Sequence, residues 1–156
     1  MASREGLEFE TTIVSDSAPL HQLVADMLAV SCNVRCLRDP TRGGLSSTLN
    51  EIAGQSGVSI EIEEKRIPVR EEVRGACELL GLDPLYVANE GKLVAIVAPE
   101  DASGVLAAMR RNSRGEEAVI IGVVGEASPG LVTMRTVFGS SRIVDLLPGD
   151  QLPRIC

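Results

Sequence analysis

Aromatic residues are nearly missing from this 156-residue sequence, which holds one Tyr, two Phe and no Trp. Basic residues are also the minority, with 15 Lys and Arg against 22 Asp and Glu, a formal charge of −7. Such a chain has neither a cationic field for a phosphate backbone nor stacking platforms for bases, so no nucleic-acid partner is expected. Long apolar runs are lacking too. None approaches the roughly 18 residues of a membrane-spanning helix, and no membrane partner is expected. Histidine occurs once, as His21. It falls off the apolar stripe of its own helix and reads as a solvated residue, which leaves no Ser-His or Cys-His nucleophile pair. One His also cannot complete a usual Cys/His zinc site, and no metal ligands are assigned. Met1 to Gly6 has neither a basic nor an apolar leader segment, so a cytoplasmic location is expected. In that reducing setting Cys32, Cys36, Cys77 and Cys156 read as free thiols.

What is present is enough for a core: 44% of residues are hydrophobic, in a chain the size of one domain. Leu7 to Val14 alternates as a half-buried strand. A helix follows, with Ser17 as cap, Pro19 in the first turn and Leu20, Leu23, Val24, Met27 and Leu28 on one stripe. Val34 to Leu37 predicts a strand, and Leu45, Leu49, Ile52 and Ala53 a second helix. Val58, Ile60 and Ile62 mark a strand. Val73, Ala76, Cys77 and Leu80 mark a third helix closed by Gly81, with Cys77 in the core. Lys92 to Ala98 reads as a buried strand, and Val105, Leu106 and Met109 as a fourth helix opened by Pro99-Glu100-Asp101. Strands are expected at 118–124, 131–137 and 142–146, separated by turns at Ser128-Pro129-Gly130 and Phe138-Gly139-Ser140. The fold class is therefore layered α/β (α+β), with helices around a mixed sheet. Residues 1–147 form the expected domain and 148–156 a flexible tail, whose two prolines and glycine forbid a regular helix.

Three features could carry chemistry. Cys156 is the last residue of the sequence, on a segment whose nine residues reach about 30 Å when extended. A thiolate there is a nucleophile that can visit a distant site, although Arg154 and the adjoining carboxylate oppose each other in setting its reactivity. An incidental end residue is the plain alternative. The second feature is Arg38-Asp39-Pro40-Thr41-Arg42-Gly43-Gly44 between strand and helix, where backbone N–H groups and Arg42 could hold phosphate. It is neither a Walker sequence nor a dinucleotide fingerprint, and a left-handed turn accounts for it equally well. The third is Asn89-Glu90-Gly91-Lys92 before the most apolar strand, where a partly desolvated carboxylate could serve as a base. A solvated glycine turn is its ordinary alternative. Glu61, Glu63, Glu64 and the Arg70-Glu71-Glu72 run read as solvated faces.

These residues resemble a known family. Leu37 to Leu45, Ile67-Pro68-Val69-Arg70-Glu71-Glu72-Val73, Val87 to Leu93 and the closing Leu152-Pro153-Arg154-Ile155-Cys156 are similar to the carboxy-terminal domain of the HypE carbamoyl dehydratases of nickel-iron hydrogenase maturation. That family belongs to the aminoimidazole ribonucleotide synthetase and selenophosphate synthetase superfamily, which uses ATP to activate an oxygen as a phosphate ester. The resemblance covers nearly the whole chain. It implies an α/β domain partly like a ferredoxin fold, with Cys156 accepting a carbamoyl group from the carbamoyltransferase HypF. ATP-dependent dehydration then gives a thiocyanate, whose cyano group passes to iron on the HypC–HypD complex. By the same resemblance Glu90 is the base or its orienter, and Asn89 helps orient the substrate. Asp39, Thr41, Arg42, Gly43 and Gly44 face the nucleotide side. ATP and Mg2+ are held mostly by an amino-terminal domain, which also makes the homodimer contacts and has no counterpart in this sequence. The chain is thus expected to be an isolated carboxy-terminal domain, with no cofactor of its own and no dehydration alone. A partner-docking module with an incidental Cys156 is the alternative function.

Overall fold

The structure is a computed structural model that describes residues 13–146. Among them are four helices and six strands: α1 His21–Val30, β1 Val34–Arg38, α2 Gly44–Ser56, β2 Ser59–Glu63, α3 Glu71–Leu80, β3 Val94–Val97, α4 Ala102–Arg111, β4 Gly122–Gly125, β5 Val132–Arg135 and β6 Ser141–Ile143. Short 3-10 turns at Glu64–Arg66 and Pro84–Tyr86 interrupt the connections. Local chemistry explains several boundaries. Glu71 and Glu72 occupy the first turn of α3, where carboxylates complement the helix dipole. Its end is fixed by Gly81 in the left-handed conformation, whose N–H donates to the Cys77 and Glu78 carbonyls. Arg110 and Arg111 fill the last turn of α4 for the converse reason.

The expected mixed sheet is there with four strands, and the two remaining strands form a second sheet beside it. β1 and β3 pair antiparallel, while the other four are ordered β4-β2-β5-β6, with β2 and β5 parallel and the outer pairings antiparallel. The β1–β3 pair separates two cores. On one side Leu23 and Met27 of α1 meet Val105 of α4, and Leu37, Ala95 and Val97 pack against them. On the other, Leu49, Ile52 and Ala53 of α2 meet Ile60, Ile62, Val132 and Met134 of the four-stranded sheet, with Cys36, Val94 and Ile96 closing the cluster. Period-two alternation along β1 and β3 thus supplies two hydrophobic layers at once.

Several sequence expectations are corrected. α1 starts at His21, with Leu20 before it and no side-chain cap, because the chain through Ser17 and Pro19 is irregular and lies against Gly91. Leu28 faces outward at 53% exposure. The apolar run 118–121 is irregular, and its strand begins only at Gly122, where an added Cβ would stand 2.1 Å from the Glu61 carbonyl oxygen. The last strand ends at Ile143 rather than 146. Of the strand expected at 7–14, only Ile13 and Val14 fall among the described residues, both in irregular chain. The tail expected at 148–156 lies outside them.

Candidate functional site

The end of β1 and the start of β3 lie side by side, so the segments that leave them also meet. Asp39-Pro40 ends β1, because proline has no N–H to continue the ladder. Thr41-Arg42-Gly43 then turns into α2. Gly43 and Gly44 both take left-handed conformations, with φ of 67° and 61°. Gly44 is also pressed against the backbone of the 84–86 turn and Val87. A Cβ on it would stand 2.6 Å from the carbonyl oxygens of both Leu85 and Val87. Only glycine meets both demands.

The second segment reaches the first through one backbone hydrogen bond: the Asn89 N–H donates to the Pro40 carbonyl at 2.9 Å. The Asn89 side chain braces its own loop, donating to the Val87 carbonyl at 2.8 Å and accepting from Lys92 Nζ at 3.0 Å. Lys92 also pairs with Asp16 at 3.3 Å. Gly91 lies beneath that same stretch, and an added Cβ there would collide with the Asp16 carbonyl.

Together these segments frame a groove of about 330 Å³. Leu20, Leu37 and Leu93 give it an apolar floor, and Asp39, Glu90 and Lys92 stand among its charged lining. Two motifs far apart in sequence therefore contribute a carboxylate each to one groove. Glu90 is exposed and makes no hydrogen bond or ion pair among the described residues. The partial desolvation expected for it is not seen, because the residue is exposed. Arg38 is committed to an ion pair with Glu51. Thr41, Arg42 and Gly43 are accessible or half-buried on the adjoining turn, whereas Gly44, Ser46 and Ser47 in the first turn of α2 are buried. A phosphate approaching this loop would meet the turn rather than the helix end. Cys156 lies outside the described residues.

A wider groove of about 510 Å³ is lined by Lys65, Arg66, Arg110, Ile67 and Leu106 among others, with no carboxylate, thiol or imidazole in its wall. Acid–base chemistry therefore points to the smaller one. Acids with lowered pKa lie elsewhere. Hydrogen bonds from Ser31 and Asn33 hold Asp101 below the usual carboxylate range and tie the end of α1 to the start of α4. Those from Asn112 and Gln22 do the same for Asp26. Both are structural joints. Among the described residues no group of three or more His, Cys, Asp or Glu converges as a metal site.

Cys32 is exposed, Cys36 half-buried and Cys77 buried, all as free thiols. Burial, helped by the nearby Asp83 carboxylate, pushes the Cys77 thiol up. At about pH 8 Cys77 therefore holds less thiolate than an ordinary cysteine. In the native protein a disulfide reagent should modify Cys32 at least tenfold faster than Cys77, and denaturation should remove the difference. Equal native rates would contradict the packing of α3.

Neither the apolar lining nor the Asp16–Lys92 pair has a signature in the sequence. Leu20, Leu37 and Leu93 look like ordinary core positions, and no local pattern links Asp16 to Lys92.

Comparison with known proteins bears on the family and the fold. The profile of the AIR synthase related protein C-terminal domain matches residues 1–133. The carbamoyl dehydratase HypE of Cupriavidus necator is 63% identical over all 156 residues, which span 44% of that protein. The chain thus spans less than half the length of the curated relatives it matches. A crystal structure of the hydrogenase maturation protein HypE in complex with ATP superimposes with a TM-score of 0.91 at 46% identity, covering 99% of this chain and 48% of that one. A HypE–HypF complex superimposes with a TM-score of 0.87 at 44% identity, covering 94% and 47%. No helix among the described residues is long and apolar enough to cross a membrane. On sequence and on fold, the chain belongs to the AIR synthase related family as a C-terminal domain, similar to that of the HypE hydrogenase maturation proteins.

Proposed function

We propose that this chain is the carboxy-terminal part of a HypE-type carbamoyl dehydratase and that Cys156 is its carbamoyl acceptor. The single observation that carries the reading is the junction of Pro40 with Asn89, which sets Asp39 and Glu90 on one groove. In the proposed sequence the Cys156 sulfur attacks the carbamoyl carbon of an activated donor supplied by a HypF-type carbamoyltransferase, so that an S–C bond forms as the bond from that carbon to the donor's oxygen breaks and the thiol proton is released with the leaving group. An amide oxygen is a poor leaving group, so the thiocarbamate must be activated as a phosphate ester before nitrogen can form a triple bond to carbon. Loss of the N–H protons and expulsion of phosphate then leave a thiocyanate, whose cyano group passes to iron on a HypC–HypD scaffold as its C–S bond breaks and the Cys156 thiolate is regenerated.

Glu90 suits the proton-accepting role because its carboxylate is unpaired and stands over an apolar floor. Arrival of the carbamoylated cysteine would cover it, removing water from the acid as the proton moves. Asn89 acts on Glu90 through the backbone, by holding the loop to Pro40. In this reading ATP and Mg2+ are held by another part of a longer HypE-type protein, which also makes the homodimer contact, while Arg38 here is engaged by Glu51 and Lys92 by Asp16 and Asn89. Asp39, Thr41, Arg42 and Gly43 would face that part from this side.

The test is an intact-mass measurement after incubating the chain with a HypF-type enzyme, carbamoyl phosphate and ATP, beside Cys156→Ser. A carbamoyl gain in the unaltered chain alone is expected, with no further loss of water. A gain that persists in the serine variant would overturn the acceptor assignment. Conversion to a cyano adduct by this chain alone would overturn the assignment of the nucleotide to another part.

A further inference from the structure

The Glu90 carboxylate has no partner among the described residues, yet the backbone that carries it is held on both sides. On the amino side, the Asn89 N–H donates to the Pro40 carbonyl at 2.9 Å, and the Asn89 side chain donates to the Val87 carbonyl at 2.8 Å. On the carboxyl side, Gly91 lies so close to the chain at 16–18 that an added Cβ would collide with the Asp16 carbonyl and stand 3.0 Å from the Ala18 nitrogen. A residue between two such points keeps little backbone freedom.

Lys92 joins the two points. Its Nζ donates to Asn89 Oδ1 at 3.0 Å and to Asp16 Oδ2 at 3.3 Å. One ammonium therefore grips both the amide that braces the amino side and the side chain of the residue that packs on Gly91. Leu93 beside it packs against the core of Leu23, Met27 and Val105, so the anchor itself is fixed. The Lys92 and Asp16 side chains are 55% and 35% accessible. An exposed pair of this kind adds little to global stability, so its effect is confined to the loop it spans.

We propose that Lys92 is a positioning residue for Glu90, which with Asp16 clamps the 89–91 backbone and fixes where the Glu90 side chain starts over the groove. This rests on the reading of Glu90 as the proton acceptor. A general base works only within hydrogen-bond reach of its proton, and a displacement of about 1 Å can cost about 100-fold in rate. A released loop would spread the carboxylate over positions beyond that reach.

The first experiment measures backbone amide relaxation by NMR on this chain, unaltered and as Lys92→Met, Lys92→Arg and Asp16→Ala. In Lys92→Met the order parameter of the Glu90 N–H is expected to fall from about 0.85 to below about 0.6, with the buried Ile60 and Met134 unchanged. Lys92→Arg still pairs with Asp16 and should restore at least half of the loss. Asp16→Ala gives the same comparison with Lys92 in place if Lys92→Met does not fold. An equally ordered Glu90 N–H in a folded variant would overturn the clamp.

The second is single-turnover dehydration in a HypE-type protein that carries this domain. Lys92→Met should slow it about three- to tenfold, with carbamoyl acceptance and the unfolding midpoint unchanged and with partial recovery in Lys92→Arg. An undiminished rate in Lys92→Met beside a slow Glu90→Gln would refute the positioning alone, whereas undiminished rates in both would refute the reading of Glu90. Loss of carbamoyl acceptance together with dehydration would assign Lys92 to folding or partner recognition and overturn the proposal.

Discussion

Replacing Glu90 by Gln in a HypE-type protein that carries this domain should slow thiocyanate formation by about 100- to 10,000-fold, the range of a lost general base. Carbamoyl acceptance at Cys156 should continue, because that step needs only the thiol and its donor. Gln keeps the shape and hydrogen-bonding reach of Glu but cannot take up a proton at neutral pH. The comparison is clean because Glu90 is exposed and makes no ion pair among the described residues, so no structural contact is lost with the charge. Single-turnover mass spectrometry of carbamoylated protein mixed with ATP separates the two steps. Dehydration within about twofold of the unaltered rate would remove Glu90 from the chemistry, and equal loss of both steps would assign it to partner recognition. Neither result is compatible with the proton-accepting role.

The second large effect concerns folding. Gly44→Ala should destabilise the domain by about 3–5 kcal/mol, the range of the severe backbone and packing substitutions. Two costs combine. Alanine at a φ of 61° pays about 1–2 kcal/mol for the left-handed conformation. Its methyl group would also enter the space of the Leu85 and Val87 carbonyls, neither of which is a flexible side-chain tip that can swing aside. Gly57→Ala is the matched control: its φ is 65°, and nothing lies within 4 Å of an added Cβ. It should show only the conformational cost. Urea unfolding followed by circular dichroism reads both, and equal losses in the two variants would show that the close approach at Gly44 has no energetic consequence.

That contrast also shows how far the sequence alone could be read. α3 is legible because its signals are local: an apolar stripe at helical spacing and a glycine directly after the last turn. The run 118–121 misleads because four apolar residues satisfy a strand pattern, while the ladder with β2 starts at Gly122 and reaches back only to the Ile121 carbonyl, which accepts from the Glu63 N–H. Gly44 looks like a phosphate-exposing glycine on the basis of its loop. Its actual constraint comes from carbonyls some forty residues away, which no local pattern announces. The same holds for the site. Asp39 and Glu90 stand out as motif residues, but what joins them is a backbone hydrogen bond between Pro40 and Asn89, and backbone groups carry no sequence signature.

The β1–β3 pair has a consequence for how such a domain can change over evolutionary time. Cys36 and Ile96 pack against one core, Leu37 and Ala95 against the other. A slip of β1 by one residue would exchange Cys36 with Leu37, overfilling one layer and leaving the other short. An insertion or deletion within β1 is therefore penalised twice. The only irregularity in the ladder lies between Val34 and Cys36, at the end remote from Asp39. Length variation should consequently be tolerated before Cys36 and in the exposed β5–β6 turn, while the interval from Cys36 to Gly44 keeps its length even where its residues diverge.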